Sequence, residues 1–253
     1  MRNRSDRHRL PPFNESGIIL VDKPLEWTSH DVVGFIRSRF NIQKAGHCGT
    51  LDPAASGLLV LVIGRFTKLS QKFSGEDKTY EAVIMLGVET DSQDMDGNII
   101  SEKDPSFVTP EMLKKTINTF IGVQEQIPPM VSAVKKDGKK LYELARQGIE
   151  VEREAKNINI SSIQVDKVEL PCADFTVTCS KGTYVRTLCS DIGAKLGCGA
   201  VLRGLKRTKS GSFDLKDAVS IDTLRGWEQT ELSNYMGHLM NDVIMKNKQF
   251  TEF

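Results

Sequence analysis

The residues best placed to do chemistry in this sequence lie in the run Gly46-His47-Cys48-Gly49-Thr50-Leu51-Asp52-Pro53-Ala54-Ala55-Ser56-Gly57-Leu58-Leu59. It sets one carboxylate, Asp52, just ahead of a strongly apolar stretch, and short loops held by such strands commonly carry sites. Pro53 steers Asp52 away from the helical region, so the carboxylate is presented from extended backbone. Gly49 and Gly57 permit tight turns or close approach of a ligand. On these residues alone, an Asx turn or cap stabilising the loop explains Asp52 more simply than catalysis does.

The other residues of interest are equally ordinary when read singly. Tyr80 and Tyr184 read as strand or core tyrosines, Leu205 as core, and Arg186 as a surface arginine at a helix start. His47 reads as a partly exposed loop histidine, Lys23 as a solvated lysine before Pro24, and Asp94 as one of three acids with Asp91 and Asp96 in an acidic turn. Two basic clusters stand out: Lys135, Lys136, Lys139 and Lys140, and Arg203, Lys206, Arg207 and Lys209. By charge alone, each is a solvated face before it is an RNA contact.

Several elements must position these groups. Residues 17–21 form an apolar, β-branched run broken by Lys23-Pro24. Thr28 and Ser29 can cap a helix in which Val32, Val33, Ile36 and Phe40 recur at helical spacing. Residues 58–63 and 79–86 read as strands and neighbours in a sheet. Helical patterns cover 111–120 and 139–147, with Gly148 as C-cap, and Ile127-Pro128-Pro129 must be irregular between them. Strands fit 158–168, 174–179 and 200–208, with a helix over 186–196. The mixture predicts an α+β fold on a mixed, mostly antiparallel central sheet flanked by helices and loops.

The chain's 253 residues carry a formal net charge of +1, so any nucleic-acid contact must come from a local patch. No run reaches the roughly 18 apolar residues of a membrane span, and no apolar stretch follows Arg2, Arg4, Arg7 and Arg9 as a secretory signal would require. The expectation is a cytoplasmic protein with no membrane attachment. Cys48, Cys172, Cys179, Cys189 and Cys198 include no C-x-x-C pair, which favours buried thiols over disulfides or a zinc site.

The Asp52 loop resembles the G-G-T-L-D-P-x-A-x-G-x-L motif of the TruB family of pseudouridine synthases. The likeness continues through 17–33, Lys78-Thr79-Tyr80, 127–146, Ser180-Lys181-Gly182-Thr183-Tyr184-Val185-Arg186 and Leu205-Lys206-Arg207-Thr208-Lys209-Ser210-Gly211, so it spans about 17–215. The resemblance implies the pseudouridine synthase fold. It also implies isomerisation of a uridine in RNA: the N-glycosidic bond breaks, the uracil turns, and C5 rejoins the ribose without cofactor or metal. Asp52 then falls on the catalytic carboxylate, whether it attacks the sugar, adds to the base or removes a ribose proton. Arg186 falls on its ion-pair partner, Tyr80 on the tyrosine that stacks on the target base, and Tyr184 on an active-site tyrosine. Leu205 would line the uracil pocket, His47 would hold the flipped-out RNA conformation, Asp94 would hydrogen-bond near the site, and Lys23 would contact RNA or brace the loop. A base inside folded RNA must leave its stack to meet a carboxylate, which suits aromatic surfaces.

Bacterial members of this family act on uridine 55 in the tRNA T-loop without a guide, whereas archaeal and eukaryotic relatives use guide RNAs and partner proteins. The resemblance of about 91–154 to the bacterial RNA-gripping insertion favours tRNA as substrate, no guide RNA, and a monomer. The domain expectation is a flexible basic arm over 1–16, a catalytic domain over 17–215, and a short tail over 216–253 without a full C-terminal RNA-binding domain. Two departures stand out: Glu26 replaces a usual glycine, and Cys48 a usual threonine. The rivals are a non-catalytic RNA-binding protein, which would need no Asp52, Tyr80, Tyr184 and Arg186 set, and a glycosidase, which would need a second facing carboxylate.

Overall fold

The computed structural model describes residues 10–132, 134–136 and 138–246. In chain order the elements are β1 (Gly17–Lys23), α1 (Ser29–Phe40), β2 (Ala45–His47), β3 (Ala55–Ile63), α2 (Ser70–Ser74), β4 (Lys78–Leu86), β5 (Val88–Thr90), β6 (Ile99–Glu102) and α3 (Pro110–Asn118). They continue with β7 (Gly122–Gln126), β8 (Lys135–Lys136), β9 (Lys139–Lys140), α4 (Leu141–Ala145), β10 (Lys156–Glu169), β11 (Cys172–Cys179) and α5 (Val185–Leu196). Last come β12 (Ala200–Ser210), β13 (Phe213–Asp214), β14 (Val219–Ser220), α6 (Ile221–Gly226) and α7 (Gln229–Lys246). The chain divides into two compact units, 1–76 with 207–253, and 77–206. Strand pairing is mostly antiparallel with a parallel β1–β14 contact, so the α+β expectation holds.

In the first unit, β1 pairs antiparallel with β3, β2 adds to β3, and β14 adds parallel to β1. Both faces are covered, which is why β1 and β3 read as continuous apolar runs rather than alternating ones. Ile19, Val21, Leu59, Leu61 and Ile63 meet Val32, Ile36 and Phe40 of α1, Leu224 of α6, and Leu232 and Met236 of α7. Their alternates Ile18, Leu20, Leu58, Val60 and Val62 meet Phe73, Phe213 and Leu239. Each such burial is worth about 1.5–3 kcal/mol. Helix α1 starts where its caps dictate: Thr28 accepts from the Asp31 N–H while the Asp31 carboxylate accepts from the Thr28 N–H, a reciprocal capping box.

In the second unit, β4, β11, β10 and β7 form an antiparallel sheet in that order, with β12 beside β4. Alternation is clear along β11, where Ala173, Phe175, Val177 and Cys179 are buried. Helices α3 and α5 pack on each other, α3 also on β10 and α5 on β4. Two hairpins leave this sheet, β5–β6 and the lysine hairpin β8–β9, in which Lys135 opposes Lys140 and Lys136 opposes Lys139.

Several expectations change. Strands β3 and β4 are not neighbours: β3 pairs with β1 and β2, β4 with β11 and β12. The helix expected over 139–147 is shorter, because Lys139 and Lys140 pair as a strand before α4 begins. Residues 10–16, assigned to a loose arm, are tied down: Phe13 is buried and bridges Ile42, and Asn41 donates to the Leu10 carbonyl. The basic residues Arg2, Arg4, Arg7 and Arg9, together with Ala133 and Asp137, lie outside the described residues. Residues beyond Asp217, read from sequence as a short tail with no assigned elements, supply β14, α6 and α7. Four of the five cysteines are buried thiols, and Cys172 is half-buried.

Candidate active site

The first unit holds Asp52 at the end of the loop between β2 and β3. The loop is tied at several points. Cys48 N–H donates to the Val60 carbonyl (2.8 Å) and Ala55 N–H to the Asp52 carbonyl (3.0 Å). The buried Ser29 hydroxyl donates to the Leu51 carbonyl (3.1 Å) and accepts from the Leu51 N–H (2.8 Å). Glu26 N–H reaches the Pro53 carbonyl (2.9 Å) from a left-handed backbone, φ 67°. That conformation is the physical reason a glycine suits position 26. Cys48 sits fully buried in the apolar cluster behind β3, acting as a small hydrophobe.

Arg207 corrects the expected basic face, because its side chain is 1% exposed. Its Nε donates to the Leu58 carbonyl at 2.7 Å, and its two Nη atoms reach the carbonyls of Gly49 (3.1 Å) and Thr50 (3.5 Å). Its former companions Arg203, Lys206 and Lys209 are exposed. Lys23, which reads equally as a solvated lysine and as an RNA-contacting or loop-bracing one, is likewise fully buried, with Nζ donating to the Pro24 (2.9 Å) and Trp27 (2.6 Å) carbonyls. Burial pushes its pKa down to about 8, the Asp52 carboxylate pulls it up, and the Arg207 charge adds to the fall. Two buried cations therefore share the surroundings of the half-buried Asp52. His47, at the end of β2, is half-buried. Burial first, then the charges of His30 and Arg207, lower its pKa, which favours the neutral imidazole, and its Nδ1 is buried without a hydrogen-bond partner.

The second unit brings together Tyr184, Arg186 and Asp94. Tyr184 is the N-cap of α5, and the buried Gln126 side chain clamps its backbone, accepting from the Tyr184 N–H (2.8 Å) and donating to its carbonyl (3.1 Å). Arg186, buried in the first turn of α5, pairs with Asp94 at 3.5 Å, donates to the Val131 carbonyl at 2.6 Å, and lies 5.7 Å from the Tyr184 ring centroid. Asp94 is not an idle member of an acidic turn. It is buried, accepts from Ser92 Oγ and the Asp96 N–H, and sits next to Gln93, whose φ is 68°. Gln93 is held by the Thr187 hydroxyl (2.7 Å) and by Leu202 N–H donating to its carbonyl (3.0 Å). Tyr80 is buried on β4 opposite Val177, and Leu205 is half-buried on β12.

Sequence reasoning missed the bracing roles of Arg207, Ser29, Gln126 and Gln93. Ser29 had a visible signal as a helix-start residue; the others carried none. Among the described residues no group of three or more His, Cys, Asp or Glu could hold a metal ion, and no helix is long and apolar enough to cross a membrane.

Comparison with known proteins adds to this geometry. The model of the TruB family pseudouridylate synthase N-terminal domain matches residues 37–185, and that of the tRNA pseudouridylate synthase B C-terminal domain matches 186–245. A tRNA pseudouridine synthase B from Opitutus terrae is 46% identical over 216 residues, covering 85% of this chain and 90% of that protein. One from Clostridium tetani is 42% identical over 254 residues, covering 94% and 88%, and one from Syntrophotalea carbinolica is 48% identical over 209 residues, covering 83% and 68%. Among solved structures, a chain in the crystal structure of a Cbf5-Nop10-Gar1 complex superposes with a TM-score of 0.65 at 31% identity; the match covers 81% of this chain and 52% of that one.

Proposed function

The chain belongs to the TruB family of pseudouridylate synthases, and on that premise we propose that it converts uridine 55 in the T-loop of tRNA to pseudouridine, unaided by a guide RNA, with Asp52 as catalytic carboxylate. The observation that carries the reading is the placement of Asp52. Its loop is tied by backbone and side-chain bonds on both sides and lies beside two buried cations, Lys23 and Arg207. A carboxylate must be ionised for any of the three routes open to it, and buried positive charge favours that form.

The reaction balances without any added group. The N1–C1′ bond breaks, the uracil rotates, C5 bonds to C1′, and the proton displaced from C5 leaves as N1 gains one. Asp52 assists by attacking the sugar, adding to the base, or taking a ribose proton. Tyr80 stacks on the extruded base, Leu205 lines the uracil pocket, and Tyr184 positions the base or relays a proton. Arg186, oriented by Asp94, is the ion-pair partner of Asp52. His47, kept neutral by burial, occupies the space the base leaves, and Lys23 braces the loop. Residues 91–154, with the β8–β9 lysine hairpin, grip the RNA backbone, chiefly through phosphates and shape. The protein acts as a cytoplasmic monomer, without cofactor or metal.

Pseudouridine mapping of an unmodified tRNA incubated with the protein alone tests this reading. Product confined to the T-loop uridine supports it. Product at another position would overturn the site assignment, and a folded protein that binds tRNA but makes no product would favour an RNA-binding role.

A further inference from the structure

Among the described residues Arg207 is the largest fully buried side chain, yet beyond its charge no role above uses it. Its position is fixed from the backbone outward. A Cβ on Gly57 would lie 2.4 Å from the Arg207 carbonyl oxygen and 2.9 Å from its nitrogen, so the start of β3 and the Arg207 backbone are in direct contact. From there the guanidinium reaches carbonyls on both sides of Asp52: Gly49 and Thr50 before it and Leu58 after it. Ser29, from the first turn of α1, closes both backbone groups of Leu51, the residue immediately before Asp52. A guanidinium stays charged under all ordinary conditions and its fork fixes several acceptors at once, which an ammonium cannot reproduce.

We propose that Arg207 and Ser29 are positioning residues for the reaction, clamping the backbone on either side of Asp52 so that its carboxylate meets the uridine in one orientation. This rests on Asp52 being the catalytic carboxylate. Neither residue need touch RNA. Their removal loosens the loop while leaving tRNA contacts made elsewhere intact.

The test compares Arg207→Lys, Arg207→Met and Ser29→Ala in the full chain. It measures thermal unfolding, tRNA binding, and the single-turnover rate of pseudouridine formation at saturating protein, with Asp52→Asn as reference. Displacement of a reacting group by about 1 Å costs on the order of a hundredfold in rate. The expected result is a roughly ten- to hundredfold slower single turnover with a tRNA dissociation constant close to that of wild type, for Arg207→Lys as well as Arg207→Met. Because both residues hold one loop, the Ser29→Ala and Arg207→Lys losses should combine to less than their product. Folded variants that turn over at the wild-type rate would overturn the inference, as would losses confined to binding or to unfolding temperature. Should neither Arg207 variant fold, Ser29→Ala decides alone by the same rate criterion. An Asp52→Asn protein with undiminished turnover would defeat the Asp52 reading itself, an outcome distinct from failure of the clamp.

Discussion

Two buried arginines, Arg207 in the first unit and Arg186 in the second, are accommodated by different means. Arg207 spends its donors on the carbonyls of Gly49, Thr50 and Leu58, all backbone of the stretch that presents Asp52. Arg186 pairs with a side chain, the Asp94 carboxylate, and with the Val131 carbonyl. Burying a charge is costly unless it is paired or hydrogen-bonded, and both solutions meet that cost. They differ in what fails when they are broken. Removing Arg207 releases a stretch of backbone, so the loss falls on geometry. Removing Asp94 strips a carboxylate from a buried cation, so the loss falls on electrostatics.

Asp94→Ala should therefore produce the largest loss of stability, about 3 kcal/mol, because it takes one of the groups that compensate the buried Arg186 charge. Chemical denaturation monitored by fluorescence or circular dichroism would measure it. Asp94→Asn, which keeps the shape and removes the charge, separates the electrostatic part from the packing part. A loss below about 1 kcal/mol, as for an exposed pair, would mean that Asp94 does not neutralise Arg186 and that the contrast with Arg207 is wrong.

A smaller effect is expected at Lys23, which sharpens the first side of the comparison through pH. Its folded pKa of about 8 lies below the ordinary lysine value of 10.5, so the unfolded chain binds more protons between those values. Stability contributed by Lys23 is thus present above about pH 10.5 and is lost as pH falls through about 8. The stability of wild type relative to Lys23→Met should rise with pH across that window and be flat below about pH 7, as read from denaturation midpoints over a pH series. A difference independent of pH from 7 to 10.5 would show that Lys23 does not titrate as a buried cation.

Local signals carried much of this fold, and long-range ones were silent. The strand, turn and helix at the start are legible because Thr28 and Asp31 lie within one helical turn and form the cap between them. The β4 and β11 strands announce themselves by composition, but strand order does not: β12 reaches β4 from about 120 residues away, so 58–63 and 79–86 look like neighbours only because they follow one another. The last helices were legible and overlooked. Ser220 caps Thr223, and Ile221, Leu224, Leu232 and Met236 recur at spacings that put them in one core.

At the site, Asp52 was marked by its loop, whereas Arg207 had no mark. It alternates with Arg203, Leu205 and Lys209 along β12, so the period of the strand places all four on one face, and only the tertiary approach of the Gly49–Leu58 carbonyls makes Arg207 the buried one. Glu26 shows the converse case. It departs from the family's glycine, yet the backbone keeps the left-handed turn and the bond to Pro53, so the departure changes the residue and preserves the tie.

The central claim is that Asp52 carries the chemistry, and the most direct measurement is single-turnover pseudouridine formation on unmodified tRNA by Asp52→Asn beside wild type, with folding and tRNA binding measured on the same samples. The account predicts a variant that folds and binds as wild type does and forms no pseudouridine. Formation at a rate comparable to wild type would contradict it.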